Sequence, residues 1–152
     1  MQLKTIIFLF ALAISACGTT AQNQSTQKSP EEAGIRLTIQ TYFDGWLIGD
    51  TTKLGKAMHS TCKLKNIKDE KVLVFDRAKY LSFFTLKEEK RKADCRIIKI
   101  DVTANIASAK CEIETPDRLY TDYFNLMKLE DTWYIVDKIA TNWAKEKDMN
   151  EE

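Results

Sequence analysis

The order of residue patterns predicts an α+β domain, with helices first and a run of antiparallel strands after them. Three observations carry this. In the first half, apolar residues recur at helical spacing: Ile35, Ile39, Tyr42, Phe43, Trp46 and Leu47. After the charged stretch Lys87 to Lys92 the period changes to two, with Ile98, Ile100 and Val102 in one segment and Ala107, Ala109, Cys111 and Ile113 in the next. Short turn-forming stretches separate the alternating segments: Thr103-Ala104-Asn105, Pro116-Asp117 and Glu130-Asp131-Thr132.

Each element has a local cause. Ser29-Pro30-Glu31-Glu32 supplies an N-cap serine, a proline in the first turn and a glutamate three residues after the cap, so a helix starts there. Gly49 ends it, and Asp50 or Thr51 caps a short second helix carrying Leu54, Ala57 and Met58. A weak strand, Cys62 to Ile67, precedes Val72-Leu73-Val74-Phe75. Asp76 can cap a third helix with Tyr80, Leu81 and Phe84 on its inner side. The final hairpin runs from Leu119 to Leu129 and back from Trp133 to Trp143. No internal repeat and no second domain are visible.

The first residues read as an address label. Lys4 is a positive flank, and Thr5 to Ile14 is an uncharged, mostly apolar run, shorter than the about 20 residues that span a bilayer. Ile14-Ser15-Ala16-Cys17 resembles a bacterial lipobox, which implies cleavage before Cys17 and lipidation of its sulfur. No aspartate follows Cys17, and by resemblance to lipoprotein sorting this implies an outer-membrane anchor facing the periplasm. Cleavage after Ala21 with simple secretion, or a buried N-terminal helix, are the alternatives. Residues 1–16 are thus expected to be a signal peptide, 17–29 a lipidated tether without large apolar side chains, 30–144 the folded domain and 145–152 a charged tail.

The totals exclude several function classes. The chain has 23 Lys+Arg against 22 Asp+Glu, so no basic excess exists to track nucleic-acid phosphates. Its single histidine and the absence of a CxxC or His-Cys cluster argue against a zinc site, and no cofactor motif is present. The run Lys87 to Lys92 is interrupted by Glu88 and Glu89 and reads as a solvated loop. Apart from Cys17, three cysteines remain: Cys62, Cys95 and Cys111. Strict alternation from Ile98, Ile100 and Val102 puts Cys95 on the outer face and Cys111 on the inner one, which argues against a bridge between them unless a bulge shifts the register.

The phrases "IQTYFDGWLIGDTTKLGKAMH", "IDVTANIASAKCEI" and "YTDYFNLMKLEDTWYIVDKI" resemble the nuclear-transport-factor-2-like superfamily, and within it the group called putative lumazine-binding proteins. The resemblance spans roughly Pro30 to Trp143. It implies a cone: a strongly bent, mostly antiparallel sheet wrapped around about three helices, with a pocket at the open end. Relatives on such a fold include isomerases, dehydratases, cyclases, binding modules and dimerisation modules, so function must come from the site.

Candidate site residues follow. Tyr42 and Trp46 lie four apart on one helical face and either stack on a flat ligand or simply fill the core. His59, the sole histidine, is the default acid–base group or a plain helix-end residue. A short turn in the last hairpin brings Asn125 near Asp137 on the face of Tyr123, Met127, Ile135 and Ile139, a pair that is costly to bury unless satisfied by each other or by a ligand. The opposite face brings Asp122 diagonally near Lys138 among Phe124, Val136 and Ala140, which reads as an ordinary cross-strand ion pair. These features favour an extracytoplasmic lipoprotein whose pocket binds a small apolar or aromatic ligand, or whose sheet face pairs with a protein partner, touching membrane only through Cys17. The alternatives are an isomerase-, dehydratase- or cyclase-type enzyme using His59 with Asp137 or Asp122, and a scaffold that homodimerises through the sheet face.

Overall fold

The computed structural model describes residues 29–145. The lipobox around Cys17, the alternative cleavage point at Ala21 and the tail from 146 onward lie outside the described residues.

Helix α1 (Pro30–Ile48) begins where Ser29 Oγ accepts the Glu32 N–H at 3.2 Å. It buries Ile35, Ile39, Tyr42 and Phe43, the stripe set by its spacing. It stops at Gly49, whose φ of 70° lies in the left-handed region and whose Cβ, if present, would sit 2.1 Å from the Thr85 carbonyl oxygen. Asp50 then caps α2 (Thr51–Ala57) by accepting from Thr52 and Lys53 N–H groups. Strands β1 (Met58–Lys68) and β2 (Lys71–Asp76) form a hairpin over Asp69 and Glu70, both at positive φ as a tight primed turn requires. Asp76 caps α3 (Arg77–Leu81) through the Lys79 N–H.

A four-stranded antiparallel meander follows: β3 (Asp94–Thr103), β4 (Ile106–Glu114), β5 (Arg118–Leu129) and β6 (Thr132–Ala144). The sheet order is β2-β1-β6-β5-β4-β3, with β1 joining β6 in the one parallel pairing. Helices and strands thus meet as the α+β pattern predicts, with α1 laid across the inner face of the sheet. The core lies between them and includes Ile39, Tyr42, Leu54, Phe124, Leu126 and Ile135.

Three local features depart from the sequence reading. Strand β1 starts at Met58 rather than Cys62, because Met58 already pairs with Ile135 of β6, and His59 therefore sits in a strand. In β3 a bulge falls between Ile97 and Lys99, leaving Ile98 exposed and reversing the parity of what precedes it. Cys95 opposite Ile113 and Cys111 opposite Ile97 consequently share the inner face as diagonal neighbours, instead of facing opposite ways; both thiols are free. A second irregularity between Asn125 and Leu126 of β5 turns Ile135 inward to complete burial, away from the face it was expected to share with Ile139.

Candidate functional site

The inner face of the sheet, α1 and α3 enclose a cleft of about 230 Å³. Its aromatic walls come from Trp46 near the end of α1, Tyr80 of α3, Phe84 just beyond it, Phe75 of β2 and Tyr120 of β5. Trp46 and Tyr120 meet edge to face with centroids 5.7 Å apart, and Tyr80 and Phe84 do so at 5.0 Å. Arg91 fixes this wall from the loop side. Its guanidinium lies 4.7 Å from the Trp46 ring centroid and bonds the Trp46 carbonyl, while its own N–H bonds the Leu47 carbonyl at 2.9 Å. The charged loop is therefore clasped to the end of α1 rather than merely solvated.

The floor of the cleft is ionic. The register sets Phe124 opposite Lys138 and Asp122 opposite Ala140, so the Asp122 and Lys138 side chains meet diagonally on the inner face. Lys138 Nζ donates to Asp122 Oδ1, and the two residues are 4 % and 3 % exposed. The ammonium also lies 5.6 to 5.8 Å from the ring centroids of Tyr42, Phe124 and Tyr80. Beneath it the hydroxyls of Tyr42 and Tyr80 hydrogen-bond each other. Burial holds both phenols un-ionised well past the ordinary tyrosine range, and the Asp122 carboxylate adds to this. A buried ion pair must be well matched to survive desolvation; here charge, three ring faces and a hydroxyl pair converge on one spot.

The sequence-selected residues distribute unevenly. Trp46 lines the cleft, and Tyr42 lies fully buried behind it. Asn125 stands opposite Asp137, but Asn125 is exposed and the Asp137 carboxylate takes its hydrogen bond from Lys65. Both line a separate surface concavity together with Ser108 and Met127, not the interior cleft. His59 is half-buried, bonds Thr61 Oγ1 at 2.8 Å and meets Tyr134 edge to face. The structure thus does not bring His59 into the cleft with Asp122. Asn66, Phe75 and Tyr120 line the cleft without having been singled out; Phe75 and Tyr120 are visible in the sequence only as aromatics in strand segments. Among the described residues no group of three or more His, Cys, Asp or Glu could hold a metal ion, and no helix is long and apolar enough to cross a membrane.

With this geometry in place, comparison with known proteins identifies the class. Residues 30–139 match the model of the family described as Putative lumazine-binding, and the chain belongs to that family. The fold is that of NTF2-like proteins. One from Shewanella baltica OS155 superposes with a TM-score of 0.69 at 23 % identity, covering 76 % of this chain and 95 % of that one. Another, from Methylobacillus flagellatus KT, gives 0.64 at 23 % identity, covering 79 % and 98 %. A ketosteroid isomerase-like protein from Erwinia carotovora atroseptica SCRI1043 gives 0.62 at 12 % identity, covering 78 % and 100 %. No curated protein matches the chain.

Proposed function

We propose that this domain is a small-molecule-binding module, held outside the cytoplasm by a lipidated Cys17, whose interior cleft takes a planar, mostly apolar ligand. The observation that carries this reading is the Asp122–Lys138 pair, almost fully buried at the floor of an aromatic cleft. Ring faces from Trp46, Phe75 and Tyr120 supply stacking area, and the ion pair offers one donor and one acceptor group to orient a polar substituent. The cleft volume lies below that of drug-sized ligand pockets, which suits a ligand head of one or two fused rings. The family's description supports a ring ligand of this kind.

Calorimetric titration with phenol and with lumazine tests the reading. Saturable binding is expected, reduced at least tenfold in the double variant Asp122→Leu/Lys138→Met, which replaces the pair by apolar groups of similar volume. Failure of phenol to bind the wild-type protein contradicts the reading, whatever lumazine does.

A proton-transfer enzyme is the second reading, supported by one observation: Asp122 and Tyr80 line the same cleft, with the Tyr80 hydroxyl linked to that of Tyr42 behind it. In that case Asp122 is the acid–base group, without His59. Isomerisation of a ketone carrying an acidic α-proton, lost in Asp122→Asn, is the assay for it.

A further inference from the structure

The seam between β1 and β6 is short. The parallel pairing runs from Met58 opposite Ile135, through a register shift before Lys63, to Lys65 opposite Ile139 and then ends, although β1 continues to Lys68 and β6 to Ala144. Beyond this point the sheet is split. Alternation places Leu64 and Asn66 of β1 on the inner face and Lys65 and Ile67 on the outer one.

A groove of about 330 Å³ lies on the outer face directly over the split, walled by Ile67, Val72, Tyr123 and Ile139. Asn66, Ala140 and Thr141 line both this groove and the interior cleft. The two cavities therefore meet, from opposite faces of the sheet, at the same three residues. One polar atom there, Asn66 Oδ1, is also unsatisfied. Among the described residues, the buried side-chain atoms without a hydrogen-bond partner are Asn66 Oδ1, Thr121 Oγ1 and Arg77 Nε, and the first two belong to residues lining the groove. Buried polar atoms are rarely left unpaired, because each gives up its water without compensation. An amide that fills a split between strands, lacks a partner and touches a cavity on each side is placed as a gate.

We infer that the cleft and the outer groove are two ends of one through-sheet site, with Asn66 as its gate and positioning residue. The ligand class follows. A ring head with a polar substituent sits against Asp122 and Lys138, and an unbranched apolar arm passes Asn66 to lie along Ile67, Val72 and Ile139. This deepens the ligand-binding reading proposed above and rests on it. It adds a specificity that the cleft alone cannot give, since a compact ring ligand never reaches the groove.

The test is a titration series of phenol, 4-ethylphenol, 4-butylphenol and 4-hexylphenol against wild type and the variant Ile67→Lys/Val72→Lys. Ile67 and Val72 are 75 % and 65 % exposed, so the substitutions leave the core untouched. In wild type, affinity is expected to rise about fourfold for each methylene removed from water, up to the hexyl compound. In the variant, phenol binds as before and the gain from the longer arms disappears. Asn66→Phe, which plugs the split, is expected to abolish the gain from the longer arms as well. Equal affinity for the butyl and hexyl compounds in wild type, or a hexyl gain that survives the lysine substitutions, overturns the through-sheet site and leaves the cleft reading standing. Failure of phenol itself to bind overturns both. A halved mass in solution caused by the lysine substitutions, with the hexyl gain intact, shows a second copy of the chain covering the groove and likewise overturns the inference.

Discussion

Asp122 and Lys138 form the one ion pair among the described residues in which both side chains are almost fully buried. Removing one partner strands the other's charge in an apolar cavity, whereas removing both does not. Lys138→Met alone is expected to lower stability by roughly 3–5 kcal/mol in urea unfolding. Asp122→Leu/Lys138→Met is expected to recover most of that loss. A double variant as unstable as the single one would mean the pair is not the source of the effect.

The buried thiols and phenols set the alkaline limit. Burial pushes the Cys62 thiol up to about 11 and the Cys111 thiol up to about 12, and it raises Tyr42 and Tyr80 further still. Their folded-state values exceed the unfolded ones, so the native state keeps protons that the unfolded chain has already released. Stability from these groups is complete below the unfolded thiol value of about 8.5 and falls as pH rises toward 12. Urea midpoints at pH 6, 7.5 and 10.5 should be level between the first two and lower at the third. Part of the phenolate absorbance should appear only when the chain unfolds.

His59 stands outside both functional readings, and its substitution tests that exclusion. It contacts Thr61 and Tyr134 on β1 and β6, outside the cleft lining. His59→Ala is expected to change stability by about 1 kcal/mol or less and to leave phenol affinity unaltered. A large loss of binding or turnover in this variant would restore the histidine to the site.

Cys17→Ser tests the proposed address. The variant loses the sulfur to which a diacylglycerol attaches, so it should leave the membrane fraction or persist as uncleaved precursor, while the domain from Pro30 onward keeps its unfolding midpoint. A wild-type protein found wholly in the soluble fraction, with Gln22 as its first residue, contradicts the anchor and favours secretion.

Much of the fold was legible because its causes are local. The Ser29 cap, the Gly49 stop and the Asp50 and Asp76 caps lie beside the helices they delimit. The pairing of Asn125 with Asp137, and the diagonal meeting of Asp122 with Lys138, were expected from a three-residue turn at Glu130–Thr132; the turn is one residue shorter, with Thr132 already opposite Leu129, and the bulge at Val136 restores that register. Bulges were not legible. A single extra residue near Ile98 moved Cys95 to the inner face, and another beside Val136 moved Ile135 inward, because a period of two converts one inserted residue into a reversal. The candidate site was legible in part for a different reason. Trp46, Asp122 and Lys138 were all in view, but what makes the pair notable is Tyr80 and Phe75, contributed by elements far away in the chain. Nothing in the local pattern of β5 and β6 announces which helix will close over them.

The single parallel seam also bears on how the chain finds its shape. The four strands from Asp94 onward are joined by short turns and can pair with neighbours in sequence. The seam instead ties Met58 to Ile135, and no hairpin can bring those residues together. Closing so long a loop costs entropy before any seam contact repays it, and such distant pairings slow folding. The meander is therefore expected to assemble first as a twisted half-sheet with an unpaired β6 edge, and the helical half to dock afterwards along that edge. The walls of the cleft belong to both halves, so the cavity is created only in this last step. Until then the β6 edge is open to any other strand that meets it, and the speed of docking decides how long the young chain is at risk of pairing with a neighbour.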